Sequence, residues 1–149
     1  MKPTRVLPLF LLLLLLACGS APTSTSDSEG QEGGNAHKVT LEFGQAILAG
    51  DYAKAHGYLT SAARSRVSEA DLKKQFEELT ATYGKPSSVS ADVGELPETA
   101  EEYDIVTTVP RDKWKGWEFA VFDNEIQAMV LVVDDGGTER IETVEFDKD

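Results

Sequence analysis

Cysteine and histidine are scarce in this chain of 149 residues. It contains one cysteine, Cys18, and two histidines, His37 and His56. A lone cysteine excludes an intramolecular disulfide and any site built on paired cysteines. The two histidines are 19 positions apart, so they lack the i, i+4 spacing of a helical zinc site. The sequence therefore predicts no metal site and no cofactor.

Motifs of nucleophilic and nucleotide-dependent enzymes are missing as well. The sequence contains neither a Gly-x-Ser-x-Gly elbow nor a Gly-x-x-x-x-Gly-Lys loop. Basic residues are few: 14 Lys and Arg stand against 26 Asp and Glu, giving a formal net charge of −12 at pH 7. Nucleic-acid affinity comes mainly from Lys and Arg that neutralise phosphates, so this charge argues against nucleic acid as a partner.

The amino terminus has the composition of an export signal. Lys2 and Arg5 precede an apolar run over residues 6–17. As a helix this run is about 18 Å long, which is well short of the roughly 30 Å hydrocarbon core of a bilayer. A charged start, an apolar middle and a small-residue end predict a signal peptide over residues 1–17 rather than a lasting transmembrane helix.

The signal ends in Leu15-Leu16-Ala17-Cys18, which resembles the lipobox of bacterial lipoproteins. The resemblance implies cleavage between Ala17 and Cys18 and attachment of a lipid to the Cys18 thiol, so that the membrane becomes a partner through that lipid. Gly19 follows in place of an aspartate that signals inner-membrane retention, which implies the outer membrane in a Gram-negative host. The alternative is an ordinary secretory signal that happens to contain a cysteine.

Residues 18–36 contain the lipidated cysteine and then a segment rich in Gly, Ser and Thr with no apolar periodicity. Such a segment cannot bury enough surface to offset its ordering entropy, so it is predicted to be a disordered tether. A globular domain is predicted over residues 37–149, large enough to form one hydrophobic core without disulfides.

Helical periodicity dominates the first half of this domain. One helix is predicted to begin near His37 and to stop at Gly50, and Asp51 would cap a second helix. Ser68 and Asp71 form a variant of the capping box. The apolar positions expected to face the core in these three helices are Val39, Phe43, Ala46, Ile47, Tyr52, Ala55, Leu59, Leu72, Phe76, Leu79 and Tyr83.

After Pro86 the apolar period changes to two, which predicts strands. The predicted strands lie around residues 89–93, 103–109, 117–121, 128–133 and 140–146, and the last one has a shift in alternation that indicates a bulge. Helices followed by strands predict an α+β fold, with the helices packed on a curved antiparallel sheet of four to five strands.

This order of elements, with "GDYAKAHGYLT", "LKKQFEELTATYGKP" and "MVLVVDDG" in it, is similar to the nuclear-transport-factor-2-like, cystatin-like superfamily. The resemblance covers roughly residues 37–147 and implies a cone whose sheet and helices enclose a pocket. Some relatives use this pocket for proton transfer or dehydration, and others only bind ligands or partners.

Candidates for a pocket or contact residue can be named, although none matches a catalytic motif. They are Tyr52, His56, Tyr58, Tyr103, Asp104 and Trp114. His56 could titrate near neutral pH, but a helical histidine beside a glycine is more often a boundary residue. Tyr52 and Tyr103 are expected in the core. Trp117 is also expected there, with Trp114 partly exposed.

Together these patterns predict a lipid-anchored cell-envelope protein whose domain binds a protein or small-molecule ligand without catalysis. Two alternatives stay open: a small-molecule enzyme of the isomerase or dehydratase type, and an envelope-assembly or toxin-immunity partner acting through its acidic surface. The content of the pocket should discriminate them, because converging ionisable groups would favour an enzyme and a filling of Phe and Leu would not.

Overall fold

A computed structural model describes residues 34–148 of the chain. The predicted signal peptide, the predicted cleavage site at Ala17 and the predicted lipidation site at Cys18 lie outside these residues. In the part described, no helix is long and apolar enough to cross a membrane.

The described residues contain four α-helices followed by four β-strands, the α+β fold that the sequence predicts. The helices are α1 (Gly34–Leu48), α2 (Tyr52–Gly57), α3 (Ser61–Arg66) and α4 (Glu69–Tyr83). The strands are β1 (Val89–Gly94), β2 (Trp114–Phe122), β3 (Ile126–Asp134) and β4 (Glu139–Lys148). They form one antiparallel sheet in the order β1-β2-β3-β4.

Helices α2, α3 and α4 each have a side-chain cap at the N-terminus. The capping residues are Asp51, Thr60 and Ser68. The capping box predicted for α4 is confirmed: the Asp71 amide donates to Ser68 Oγ at 3.1 Å, and the Ser68 amide donates to Asp71 Oδ2 at 2.9 Å. The sequence did not predict α3, and Leu59, which was expected in the second helix, lies beyond the end of α2 and forms a bridge with Ile141. In the structure α1 already includes Gly34, and Ala36 is buried, so the helix starts before the predicted boundary at His37.

The bulge predicted in β4 is also confirmed. Leu131 pairs with Thr143 and Val132 pairs with Ile141, so Glu142 is the extra residue on β4. A bulge interrupts the alternation of side chains, which returns Val144 and Phe146 to the face that packs against the helices.

The strand predicted over residues 103–109 is wrong. A short 3-10 helix spans Ala100–Tyr103, and Asp104 then adopts a left-handed conformation with φ 53°. The chain continues as an irregular segment that lies over the sheet without pairing with it. Ile105 still points into the sheet surface and is buried, so the apolar alternation reflects contact with the sheet rather than membership of it.

The sheet separates two hydrophobic cores. The larger lies between sheet and helices and is filled by aromatic and branched side chains, among them Phe43, Ile47, Leu72, Phe76 and Phe122. Phe76 stands 4.9 Å from Phe122 and 5.8 Å from Phe146, between ring centroids. The predicted internal pocket between sheet and helices is therefore occupied by side chains.

The smaller core lies on the opposite, outer face of the sheet. It contains Trp114, Trp117, Leu131, Val133 and Ile105 beneath the irregular segment. Trp117 is buried as predicted, but Trp114 was expected to be partly exposed and is only 7% exposed. Its indole nitrogen donates to the carbonyl of Val109 at 3.0 Å, which ties the irregular segment to the start of β2.

Candidate binding groove

A cavity of about 250 Å³ lies beside β4, between the end of α3 and the irregular segment on the outer face. We call it the β4 groove. Its walls come from the end of α3, the irregular segment and strands β2 to β4. The lining residues are Ala63, Arg66, Val67, residues 103–106, Trp117, Met129 and residues 142–145. Pockets for drug-sized ligands are usually about 300–1,000 Å³, so this groove suits a small ligand or side chains of a larger partner.

The floor of the β4 groove and part of its rim are apolar. Tyr103 stacks on Trp117 with 5.5 Å between ring centroids and 28° between ring planes. Tyr103 is nevertheless 48% exposed and Val106 is 67% exposed, so two large apolar side chains stand in solvent at the rim. The expectation that Tyr103 belongs to the core is therefore wrong, because no strand carries it inward. Exposed apolar surface around a concavity is typical of a recognition site.

A polar cluster closes the end of the groove next to α3. At its centre is Glu142, the bulged residue of β4, whose side chain is fully buried. Arg66 Nη2 donates to Glu142 Oε1 at 2.9 Å and to the Glu142 carbonyl at 2.7 Å. The hydroxyl of Thr60 donates to Oε2 at 2.6 Å, and that of Thr107 lies 3.4 Å from Oε1.

Both carboxylate oxygens of Glu142 thus have donors, and the negative charge is paired with Arg66. A buried carboxylate with this set of partners is held in one orientation. Thr60 also caps α3 by accepting from the Ala63 amide at 3.0 Å. The cluster therefore joins α3, β4 and the irregular segment, and it forms one end of the groove.

A second buried carboxylate lies on the helix-facing side of the sheet. Glu118 of β2 is fully buried, and His37 Nδ1 is 3.3 Å from its Oε2, whereas its Oε1 has no hydrogen-bond partner in residues 34–148. Burial raises the pKa of Glu118, His37 opposes the rise, and nearby Glu139 adds to it. The Glu139 pKa is raised too, by burial first and also by Asp134, against the lowering effect of Lys115.

The predicted site residues are scattered. Tyr103 and Asp104 line the β4 groove, but Tyr52, His56, Tyr58 and Trp114 do not. His56 Nε2 lies 3.0 Å from the Val67 carbonyl, a boundary position, as the sequence indicates.

The two other candidate tyrosines, Tyr52 and Tyr58, lie in the helical layer. Tyr52 is partly buried against the larger core, and burial followed by the charge of Glu77 raises its pKa. The Tyr58 hydroxyl donates to Glu42 at 3.2 Å, and burial raises its pKa ahead of the effects of Glu42. The candidates therefore do not converge on one site.

Sequence reasoning missed Arg66, Val106 and Glu142 as groove residues and His37 as the partner of Glu118. The shift in alternation around residues 141–144 was the available signal for Glu142, because a bulge redirects a side chain. Nothing local signals Arg66, which is 76 positions from Glu142.

Over residues 34–148 no group of three or more His, Cys, Asp or Glu side chains is arranged to hold a metal ion. Comparison with protein-family models, with curated proteins and with solved structures returned no match to this chain. The resemblances to the bacterial lipobox and to the nuclear-transport-factor-2-like superfamily therefore stay predictions.

Proposed function

We propose that this protein is exported, is anchored to the cell envelope by lipid on Cys18, and carries a non-enzymatic domain that binds a partner in the β4 groove. The anchor rests on residues 1–18: a charged start, a short apolar run, and Ala17 before the lone cysteine. Two or more acyl chains hold a protein far more firmly than one, so the anchor would be stable.

The observation that carries the binding function is the apolar rim of the groove. Val106 and Tyr103 remain exposed next to a floor formed by Trp117. Covering these side chains by a partner would remove apolar surface from water, at roughly 25 cal/mol per Å². Since the adjacent Glu142 carboxylate is already paired with Arg66 and accepts a hydrogen bond from Thr60, the groove is better suited to recognition than to proton transfer.

The charge beside the groove indicates what kind of partner it accepts. Residues 92–104, which lead to the groove rim, contain six acidic residues and no Lys or Arg. Asp104 and Glu145 line the groove itself. An acidic border around an apolar floor favours a partner that is both cationic and amphipathic.

The isomerase or dehydratase alternative has less support. The space between helices and sheet, where such an enzyme would hold its substrate, contains Phe43, Phe76 and Phe122. The ionisable pair on that side, His37 and Glu118, is not part of the β4 groove.

Site-specific photocrosslinking tests the binding function. A benzophenone amino acid at position 106 should yield a discrete crosslinked product in the native host. The matched control is position 93, because Val93 is 54% exposed and lies on β1, away from the groove. Equal products at both positions, or none at 106, would contradict binding in the groove.

The anchor has its own test. In a lipoprotein-processing host, Cys18→Ser should abolish labelling by radioactive palmitate and prevent maturation after Ala17. Unlabelled wild-type protein released from the membrane without detergent would contradict lipid anchoring.

A further inference from the structure

Strand β4 is the last strand of the sheet, and its edge away from β3 is open next to the β4 groove. β4 pairs with β3 from Glu139 to Lys148. On its other side the bridge to Leu59 uses Ile141, which donates to the Tyr58 carbonyl at 3.0 Å and accepts from the Thr60 amide at 2.8 Å. No further strand among residues 34–148 pairs with the outer side of residues 143–147. Unpaired strand edges are templates for an added strand.

The edge and the groove form one continuous surface. Thr143, Val144 and Glu145 line the groove, so a strand added to β4 would extend along its wall. Alternate side chains of such a strand would face the groove, and the others would lie beside Val144 and Phe146, which are only partly buried. Main-chain hydrogen bonds would then supply affinity, and the groove would select side chains.

The charges on this edge select the occupant. Glu145 and Asp147 are exposed and, by alternation, lie on the groove side of β4. Asp104 stands at the groove as well. These acids disfavour pairing with the same edge of a second copy, because like charges would face each other across the strands. A Lys or Arg side chain fits better, since its aliphatic stem can lie on Val106 and Tyr103 while its charge stays beside Glu145.

We infer that the open edge of β4 binds an extended segment of a partner protein in which basic and apolar residues alternate, by addition of that segment as a fifth strand. This inference rests on the proposed binding function and specifies the partner and the geometry. Basic side chains of the segment face the groove, Glu145 and Asp147. Its apolar side chains continue the surface formed by Val144 and Phe146.

A defined peptide tests the inference on the full chain in detergent micelles. The probe is an eight-residue peptide that alternates Lys and Val. Tryptophan fluorescence of the unsubstituted chain reports binding, because Trp117 lines the groove and Trp114 does not. Hydrogen exchange measured by mass spectrometry reports protection of the amides in residues 143–147. The expected result is saturable binding together with slower exchange in this segment.

Two control peptides separate strand addition from simple occupation of the groove. One carries N-methyl groups on alternate residues, which removes the edge hydrogen bonds and keeps the side chains. It should bind at least about tenfold more weakly, because a tenfold change in affinity corresponds to the loss of one or two net hydrogen bonds. The other alternates Glu and Val and should not bind. Equal affinity of the N-methylated peptide, or an unchanged exchange rate in residues 143–147, overturns strand addition and leaves groove binding intact.

Charge reversal supplies the matched variant. With Glu145→Lys and Asp147→Lys together, affinity for the Lys-Val peptide should fall about fivefold to tenfold, and the Glu-Val peptide should gain affinity. Absence of Lys-Val binding to the wild type overturns the inference, and crosslinking at position 106 then decides the proposed function separately. Concentration-dependent protection of residues 143–147 without peptide identifies a second copy as the occupant and overturns it too.

Discussion

The two faces of the sheet differ in what covers them. On one face α1 and α4 present rows of apolar side chains that fill the space against β2, β3 and β4. On the other face an irregular segment with two short 3-10 helices covers Trp114, Trp117 and Leu131. A regular helix repeats its apolar row at every turn, whereas an irregular segment touches the sheet at separate points. The covered face is therefore filled, and the loosely covered face retains a groove.

The largest loss of stability is expected at Phe122 of β2, and Phe119 on the same strand is its matched control. Phe122 points to the helices and is 1% exposed, while Phe119 points to the outer face and is only partly buried. Phe122→Ala should lower the free energy of unfolding by about 3–5 kcal/mol, and Phe119→Ala by less than half of that. Urea denaturation followed by circular dichroism measures both. Equal losses would show that the outer face is packed as tightly as the inner one.

The second-largest loss of stability is expected when Arg66 is replaced. Arg66→Met leaves the buried Glu142 carboxylate without its cation and should cost about 3 kcal/mol, at the lower limit for a buried pair because Arg66 is 35% exposed. Combining it with Glu142→Gln should cost less than the sum of the single losses, because the two side chains interact directly. Additive losses in this double-mutant cycle would contradict a coupled cluster.

A smaller effect should depend on pH. Burial raises the pKa of Glu118 in the folded chain above its ordinary value of 4.5, which applies to the unfolded chain. At a pH between the unfolded-state pKa and the folded-state pKa, the unfolded chain has released a proton that the folded chain retains. Stability is therefore lost as the pH rises through this window. Glu118→Gln should be more stable than the wild type near pH 7, and the difference should shrink as the pH falls toward 4.5.

Denaturation at a series of pH values measures this difference. Glu145→Gln is the control, because it makes the same substitution at an exposed position on β4. A gain for Glu118→Gln that grows on acidification would contradict the raised pKa.

The smallest effect on stability should accompany the largest effect on binding. Val106→Ser and Val93→Ser each replace an exposed valine and should change the free energy of unfolding by no more than about 0.5 kcal/mol. Only Val106→Ser should weaken binding of the Lys-Val peptide, because Val93 is not part of the groove. Similar weakening in both variants would place the binding surface elsewhere.

Elements with strong local signals were predictable from the sequence. The α4 helix combines a serine cap, an apolar row through Leu72 and Phe76, and Gly84, whose φ of 89° ends it. Strand β2 alternates over most of its length, and β3 contains the apolar run predicted over residues 128–133. These signals act between neighbours in the chain, so they can be identified without knowledge of the fold.

Alternation alone misled over residues 103–109. Ile105 packs on the sheet and Thr107 points to Glu142, which reproduces a period of two in a segment that pairs with no strand. Likewise, the sequence predicts that Trp114 is partly exposed, whereas the irregular segment accepts its indole hydrogen bond and the side chain is buried. Whether a residue is buried depends on which segment packs over it, and the local periodicity of apolar residues does not contain that information.

By itself the sequence determined the α+β fold class, the capped helix α4 and the bulge in β4, and it predicts the lipidation of Cys18, which lies outside the described residues. Each follows from a pattern of neighbouring residues. Only the tertiary structure decided that the inner face is filled and that the groove lies beside β4. It also placed Arg66 and Thr60, 76 and 82 positions from Glu142, around one buried carboxylate. Such contacts form only when distant segments pack together, because their energies depend on exclusion of water and on geometry between elements.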